Sequence, residues 1–145
     1  MKVYVDTNIL IAAAVETHPH YSPSSELLSR VKAGEFSAFV SAHGLAEMYS
    51  VLTRAPFVPR VHPAEAGRFL EVSVLPYFQV VTVSADDYRA VLSRCANNGI
   101  AGGRVYDALH VYSAAMAGCD RIYTFDVKDF RFVAPEELKD KIVMP

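Results

Sequence analysis

Apolar residues fall along this chain in two rhythms, short runs and stripes of helical spacing. Residues 3–5, Val-Tyr-Val, form a run that predicts a strand buried on both faces. Ser22 followed by Pro23 predicts an N-cap with proline at the first helical position, and Gly34 predicts the end of that helix. Residues 36–40 predict a second strand. Residues 42–54 predict a helix with Leu45, Met48, Tyr49 and Leu52 along its apolar stripe. Three prolines between 56 and 63 predict a loop, and Pro63 opens a further helix running to Leu75. Residues 78–83 are valine-rich and predict a third strand. Ser84 with Asp87 is a capping-box variant for a helix that stops near Asn97, Asn98 and Gly99. A helix over 104–117 carries Val105, Leu109, Tyr112 and Met116 on one face. Residues 122–125 predict another strand and 142–144 a last short one.

Strands that alternate with helices imply parallel pairing through right-handed crossovers. The expected fold is α/β, a three-layer α/β/α sandwich with a central parallel sheet, formed by one domain over residues 1–145. No repeat, low-complexity tract or linker interrupts it. In such sheets ligands bind beyond the carboxyl ends of the strands. Asp6 and Asp126 each stand directly at such an end.

Composition narrows the function. A hydrophobic fraction of 52% and a charged fraction of 21% are those of a globular domain, not a disordered one. A net charge of −2 argues against holding nucleic acid by bulk positive charge, so such a substrate would need a local basic patch. Cys95 and Cys119 lie outside any metal-ligand spacing and fit a reduced, cytoplasmic setting. An acid at position 6 comes too early for a signal-peptide apolar core, and no stretch reads as a membrane span.

The acids are placed unusually. Asp6 is the only charged residue between Val3 and Val15, Glu47 the only one between Phe36 and Thr53 (histidine aside), and Asp107 the only one between Val105 and Cys119. A carboxylate in apolar surroundings loses hydration and needs pairing, hydrogen bonds or a metal. Three such acids, with Asp126 at a strand end, suggest one shared site. Two unit charges about 4 Å apart repel by roughly 4 kcal/mol at an effective dielectric of ~20, so a cluster must take up protons or a cation. Oxygen ligands in that number suit Mg²⁺ or Mn²⁺.

Each acid also has a plain structural explanation. Asp6 can be a helix N-cap before Thr7 and Asn8. Glu47 lies roughly opposite the Leu45, Met48 and Leu52 stripe and can be a solvated surface residue. Asp107 can complement a helix dipole, and Asp126 can form an Asx turn.

Taken together, four segments resemble the PIN-domain family, in particular VapC-type toxins of toxin–antitoxin pairs. They are V-D-T-N-I-L at 5–10, L-A-E at 45–47 with V-L-T at 51–53, D-A-L-H at 107–110, and I-Y-T-F-D at 122–126 with Asp129 and Phe130. The resemblance implies a metal-dependent ribonuclease. In it Asp6 and Asp107 would be the principal metal ligands, with Glu47 and Asp126 completing the acidic pocket. Asp129 would help from the loop or cap it, and Thr7, Asn8 and Thr124 would orient carboxylates or water. The resemblance further implies an RNA substrate, products with a 5′-phosphate and a 3′-hydroxyl, a homodimer, and a small cognate antitoxin of the VapB type.

Other side chains read less sharply. Arg104 is either an RNA-phosphate contact or a surface pair. Arg54 and Arg60, flanking the proline-rich loop, read as solvated charge with RNA contact as the alternative. His110 reads as a packed or hydrogen-bonded histidine, since metal-activated water needs no separate base. His43, His18 and His20 have no evident partner, and the tyrosines and phenylalanines along the helices read as core. Two rival functions stay open. A haloacid-dehalogenase-like phosphatase also follows its first strand with Asp, but its second acid falls where this chain has Asn8, and no late lysine stands out. A PIN-like scaffold could bind RNA or a partner without cutting, although all four acids are present.

Overall fold

Five parallel strands make one sheet in the order β3-β2-β1-β4-β5: β1 (Lys2–Val5), β2 (Ser37–Ser41), β3 (Phe78–Val81), β4 (Arg121–Tyr123) and β5 (Ile142–Val143). The computed structural model describes all residues from Met1 to Pro145. Seven α-helices connect and cover the strands: α1 (Thr7–Ala14), α2 (Tyr21–Lys32), α3 (Ala42–Arg54), α4 (Pro63–Phe69), α5 (Ala85–Asn97), α6 (Arg104–Met116) and α7 (Val127–Val133). A π-helical turn over Leu70–Val74 continues α4, and a 3-10 turn over Glu136–Lys141 leads into β5.

Alternation along the strands splits the core into two layers. Val3, Val5 and Val40 point to one face of the sheet, where Ile9, Leu10, Met48 and Leu52 meet them. Tyr4, Phe39 and Ile122 point to the other, against Val91, Leu109, Phe130 and Val133. Both faces are covered, as an all-parallel sheet requires. The expected α/β/α sandwich is therefore the observed fold.

The strand order also locates the crevice. From β1 the chain moves outward through β2 and β3, then returns to the other side of β1 for β4 and β5. Order reverses between β1 and β4, the point at which open α/β sheets bind ligands.

Boundaries differ from the pattern where local chemistry overrules it. Helix α2 starts at Tyr21, with His20 as an N-cap that makes no side-chain bond, so Ser22 is not the cap. Pro23 then occupies the third helical position, which it tolerates because first-turn N–H groups have no intrahelical partner. Strand β3 ends at Val81, its last residue paired with β2, and β4 ends at Tyr123. Tyr49 and Met116, expected on apolar stripes, are exposed; the buried line of α3 is Gly44, Met48 and Leu52. Helices α1 and α7, each starting just after an acid, complete the set.

Candidate active site

Asp6 directly follows β1 and caps α1. Its Oδ1 accepts 2.7 Å from the Thr7 N–H, and its Oδ2 accepts 2.7 Å from the Thr124 hydroxyl. The residue is 4% exposed, and burial raises its pKa above the usual carboxylate value against the pull of His110. The plain N-cap reading of Asp6 is observed, and the cap leaves its carboxylate at the end of the sheet where a site would lie.

Glu47 projects from the second turn of α3 and is half-buried, not solvated as its helical phase alone suggests. Its Oε1 lies 3.6 Å from His110 Nε2, and its Oε2 lies 3.3 Å from His43 Nε2. Contact with the His110 ring, chiefly, holds its carboxyl below the usual range. The third member of this group is His110 itself. Donor atoms of Asp6, Glu47 and His110 all lie within 4.8 Å of one another.

His110 sits at the centre. It is 2% exposed, its Nδ1 is 2.7 Å from the Tyr4 hydroxyl, and its Nε2 is 3.8 Å from Asp6 Oδ1. Burial alone favours the neutral ring, but Glu47, Asp6 and Asp107 outweigh it and raise the pKa. Its Nε2 and the hydroxyl of Thr7 are buried polar atoms without a hydrogen-bond partner.

Asp107 stands one helical turn before His110 on α6, on the same face. Burial, then the charge of Asp6, pushes its pKa up to about 6, with smaller contributions from Asp126 and Asp129. Asp126 stands at the N-cap position just before α7 and accepts 3.1 Å from the Asn8 side-chain amide. Thr124 links the two ends: its hydroxyl accepts from Asn8 at 3.3 Å and from the Asp126 N–H at 3.0 Å while donating to Asp6. Asp129 faces Arg104 at 3.9 Å, and Arg104 also lies over the Phe132 ring at 4.1 Å. Of the four expected acids, Asp6 and Glu47 fall in the tightest cluster, while Asp107 and Asp126 stand outside it. Asp107 is tied to it through charge, and Asp126 through Asn8 and Thr124.

Two contributors escaped the sequence reading. Tyr4 shows a hydroxyl in a strand buried on both faces, which demands a partner, and that demand was the available signal. Gly44 carried none. A Cβ there would sit 3.0 Å from Ser41 Oγ, 3.1 Å from Thr7 Oγ1 and 3.4 Å from His110 Cε1, so glycine is what lets α3 approach the pocket this closely.

The sequence profile of the PIN domain matches residues 3–134. The chain belongs to the PIN-domain family. Among curated relatives, ribonuclease VapC40 of Mycobacterium tuberculosis is 29% identical over 85% of this PIN domain chain and 85% of its own length. Ribonuclease VapC27 of the same organism is 32% identical over 77% and 75%. Among solved structures, VapC20 of M. tuberculosis, a sarcin–ricin loop cleaving toxin, superposes with a TM-score of 0.69 at 17% identity, covering 88% of this chain and 92% of its own. VapBC2 from Rickettsia felis, bound to a DNA fragment from its promoter, gives 0.62 at 20% identity over 90% and 92%. At these identities the structures speak for the PIN fold; the curated relatives carry the chemical name.

Proposed function

We propose that this PIN-domain chain is a metal-dependent endoribonuclease, the toxin of a VapBC-type pair, acting in the cytoplasm. The observation that carries the reading is the gathering of acids at the switch point of the sheet around the buried Asp6, with Glu47 and Asp107 half-buried beside it. Asp6 and Asp107 both have raised pKa values there, and His110 Nε2 lacks a hydrogen bond among them. The excess negative charge fits a divalent cation. Oxygen donors favour Mg²⁺ or Mn²⁺.

Asp6, Glu47, Asp107 and Asp126 would hold the ion. When bound, it would supply Lewis acidity toward water and the scissile phosphate. The chain's own groups do the positioning. Thr124 and the Thr7 N–H fix both oxygens of Asp6, Asn8 orients Asp126, and His110 offsets the charge of Glu47 and Asp6. Cleavage would leave a 5′-phosphate and a 3′-hydroxyl. The likeness to the VapBC2 structure supports a small VapB-type antitoxin as partner and inhibitor, and a homodimeric toxin is what the family resemblance implies.

The test is cleavage of single-stranded RNA by purified protein with Mg²⁺, with Mn²⁺ and with a chelator, beside a chromogenic phosphate ester. Metal-dependent RNA cleavage, absent from Asp6→Asn, is expected. Ester hydrolysis without RNA cleavage would favour the phosphatase alternative, and equal activity of wild type and variant would overturn the assignment.

A further inference from the structure

A groove with a volume of about 490 Å³ opens beside Glu47, within the roughly 300–1,000 Å³ range of small-ligand sites. One wall is a single face of α3. Glu47, Ser50 and Arg54 follow at three- and four-residue spacing on that face, with the Cα atoms of Glu47 and Arg54 about 10 Å apart along the axis. The facing wall is Tyr106 from the first turn of α6. Its ring stacks on His43 with centroids 5.2 Å apart and planes only 4° from parallel. Tyr106 belongs to neither core layer and is 50% exposed, against the expectation that helical tyrosines are core. His43 in turn touches Glu47 at 3.3 Å, so the stacked pair is joined to the acid pocket.

Resting on the ribonuclease reading, we propose that this groove is a nucleotide subsite. The base beside the scissile phosphate stacks on the Tyr106–His43 pair, and Arg54 meets the neighbouring phosphate. Stacking suits a chain of net charge −2, because aromatic faces bind bases without relying on bulk positive charge. Every base has a π-face, so the pair contributes grip more than base identity. A guanidinium at the far end supplies the local positive charge that an acidic centre cannot, and it matches phosphate bidentately.

The experiment uses short oligoribonucleotides in which each base in turn is replaced by an abasic unit. Binding is read by fluorescence anisotropy in an Asp6→Asn background, and KM and kcat are read in otherwise wild-type protein. One abasic position flanking the cleavage site should weaken binding about 5- to 100-fold. Tyr106→Ala should cause a similar loss on intact RNA, appearing in KM, and no further loss on that abasic RNA. Tyr106→Phe should restore binding to within about twofold, and Arg54→Gln should flatten the salt dependence by the ~0.7 expected for one single-strand phosphate contact. Independent, additive losses from the abasic unit and Tyr106→Ala would overturn the subsite. So would unchanged KM in Tyr106→Ala with loss of dimer or antitoxin binding, which would make the groove a protein contact. If wild-type protein cuts no RNA at all, the ribonuclease reading itself fails and the subsite with it; cleavage with an indifferent Tyr106 refutes the subsite alone.

Discussion

The hydroxyl of Thr124 donates a 2.7 Å hydrogen bond to Oδ2 of Asp6 across 118 residues of sequence. It joins the ends of β1 and β4 at the switch point and fixes the orientation of a buried carboxylate. Thr124→Val removes that donor and also the acceptor used by Asn8 and the Asp126 N–H. Mn²⁺ affinity, measured by calorimetric titration, should fall about 10- to 100-fold, as for other partners that orient metal ligands, and Thr124→Ser should retain most of it.

Asp6→Asn keeps the side-chain shape and an acceptor for the Thr7 N–H but removes the charge. RNA cleavage should fall by more than the roughly 10- to 100-fold that an orienting partner costs. In chelator the melting temperature should rise, because burial and Glu47 both oppose the Asp6 charge. A lower melting temperature there would mean that attraction to His110 outweighs them.

Asp107 sets a pH dependence whose sign follows from its raised pKa of about 6, against an ordinary value of 3.8. Between these values the folded protein binds more protons than the unfolded chain, so stability declines as pH rises through that window. In metal-free buffer the melting temperature of wild type should therefore drop between about pH 4 and pH 6 more steeply than that of Asp107→Asn. Identical slopes in thermal melts of the two proteins would contradict the assigned environment.

Gly44→Ala tests how tightly α3 must approach. Alanine gains helix propensity, about 1 kcal/mol over glycine, yet its Cβ needs Ser41, Thr7 and His110 to give way by a few tenths of an ångström. The expected outcome is a melting temperature within a few degrees of wild type and a clear loss of cleavage rate. Full activity would show that the pocket tolerates displacement of α3.

Met48 and Glu47 are sequence neighbours with opposite duties. Met48 is fully buried in the first core layer, so Met48→Ala should cost about 2–5 kcal/mol by denaturant unfolding and spare the activity of folded molecules. Glu47→Gln should do the reverse. Matching losses of stability in both variants would remove the distinction between core and site on α3.

Sequence alone determined the alternation of strands and helices, the parallel sheet and the candidate acids, because hydrophobic period and strand-end position are local properties of the chain. The family resemblance lay in the same residues, V-D-T-N, D-A-L-H and the T-F-D that precedes α7. Tertiary structure decided which acids meet. Glu47 looked solvated by helical phase, and only the approach of α6 to α3, permitted by Gly44, brings His110 within 3.6 Å of it. Likewise Tyr4 finds His110 across 106 residues, and Tyr106 leaves the core to stack on His43. Such contacts depend on how helices pack across the sheet, a relation between distant segments that no local periodicity encodes.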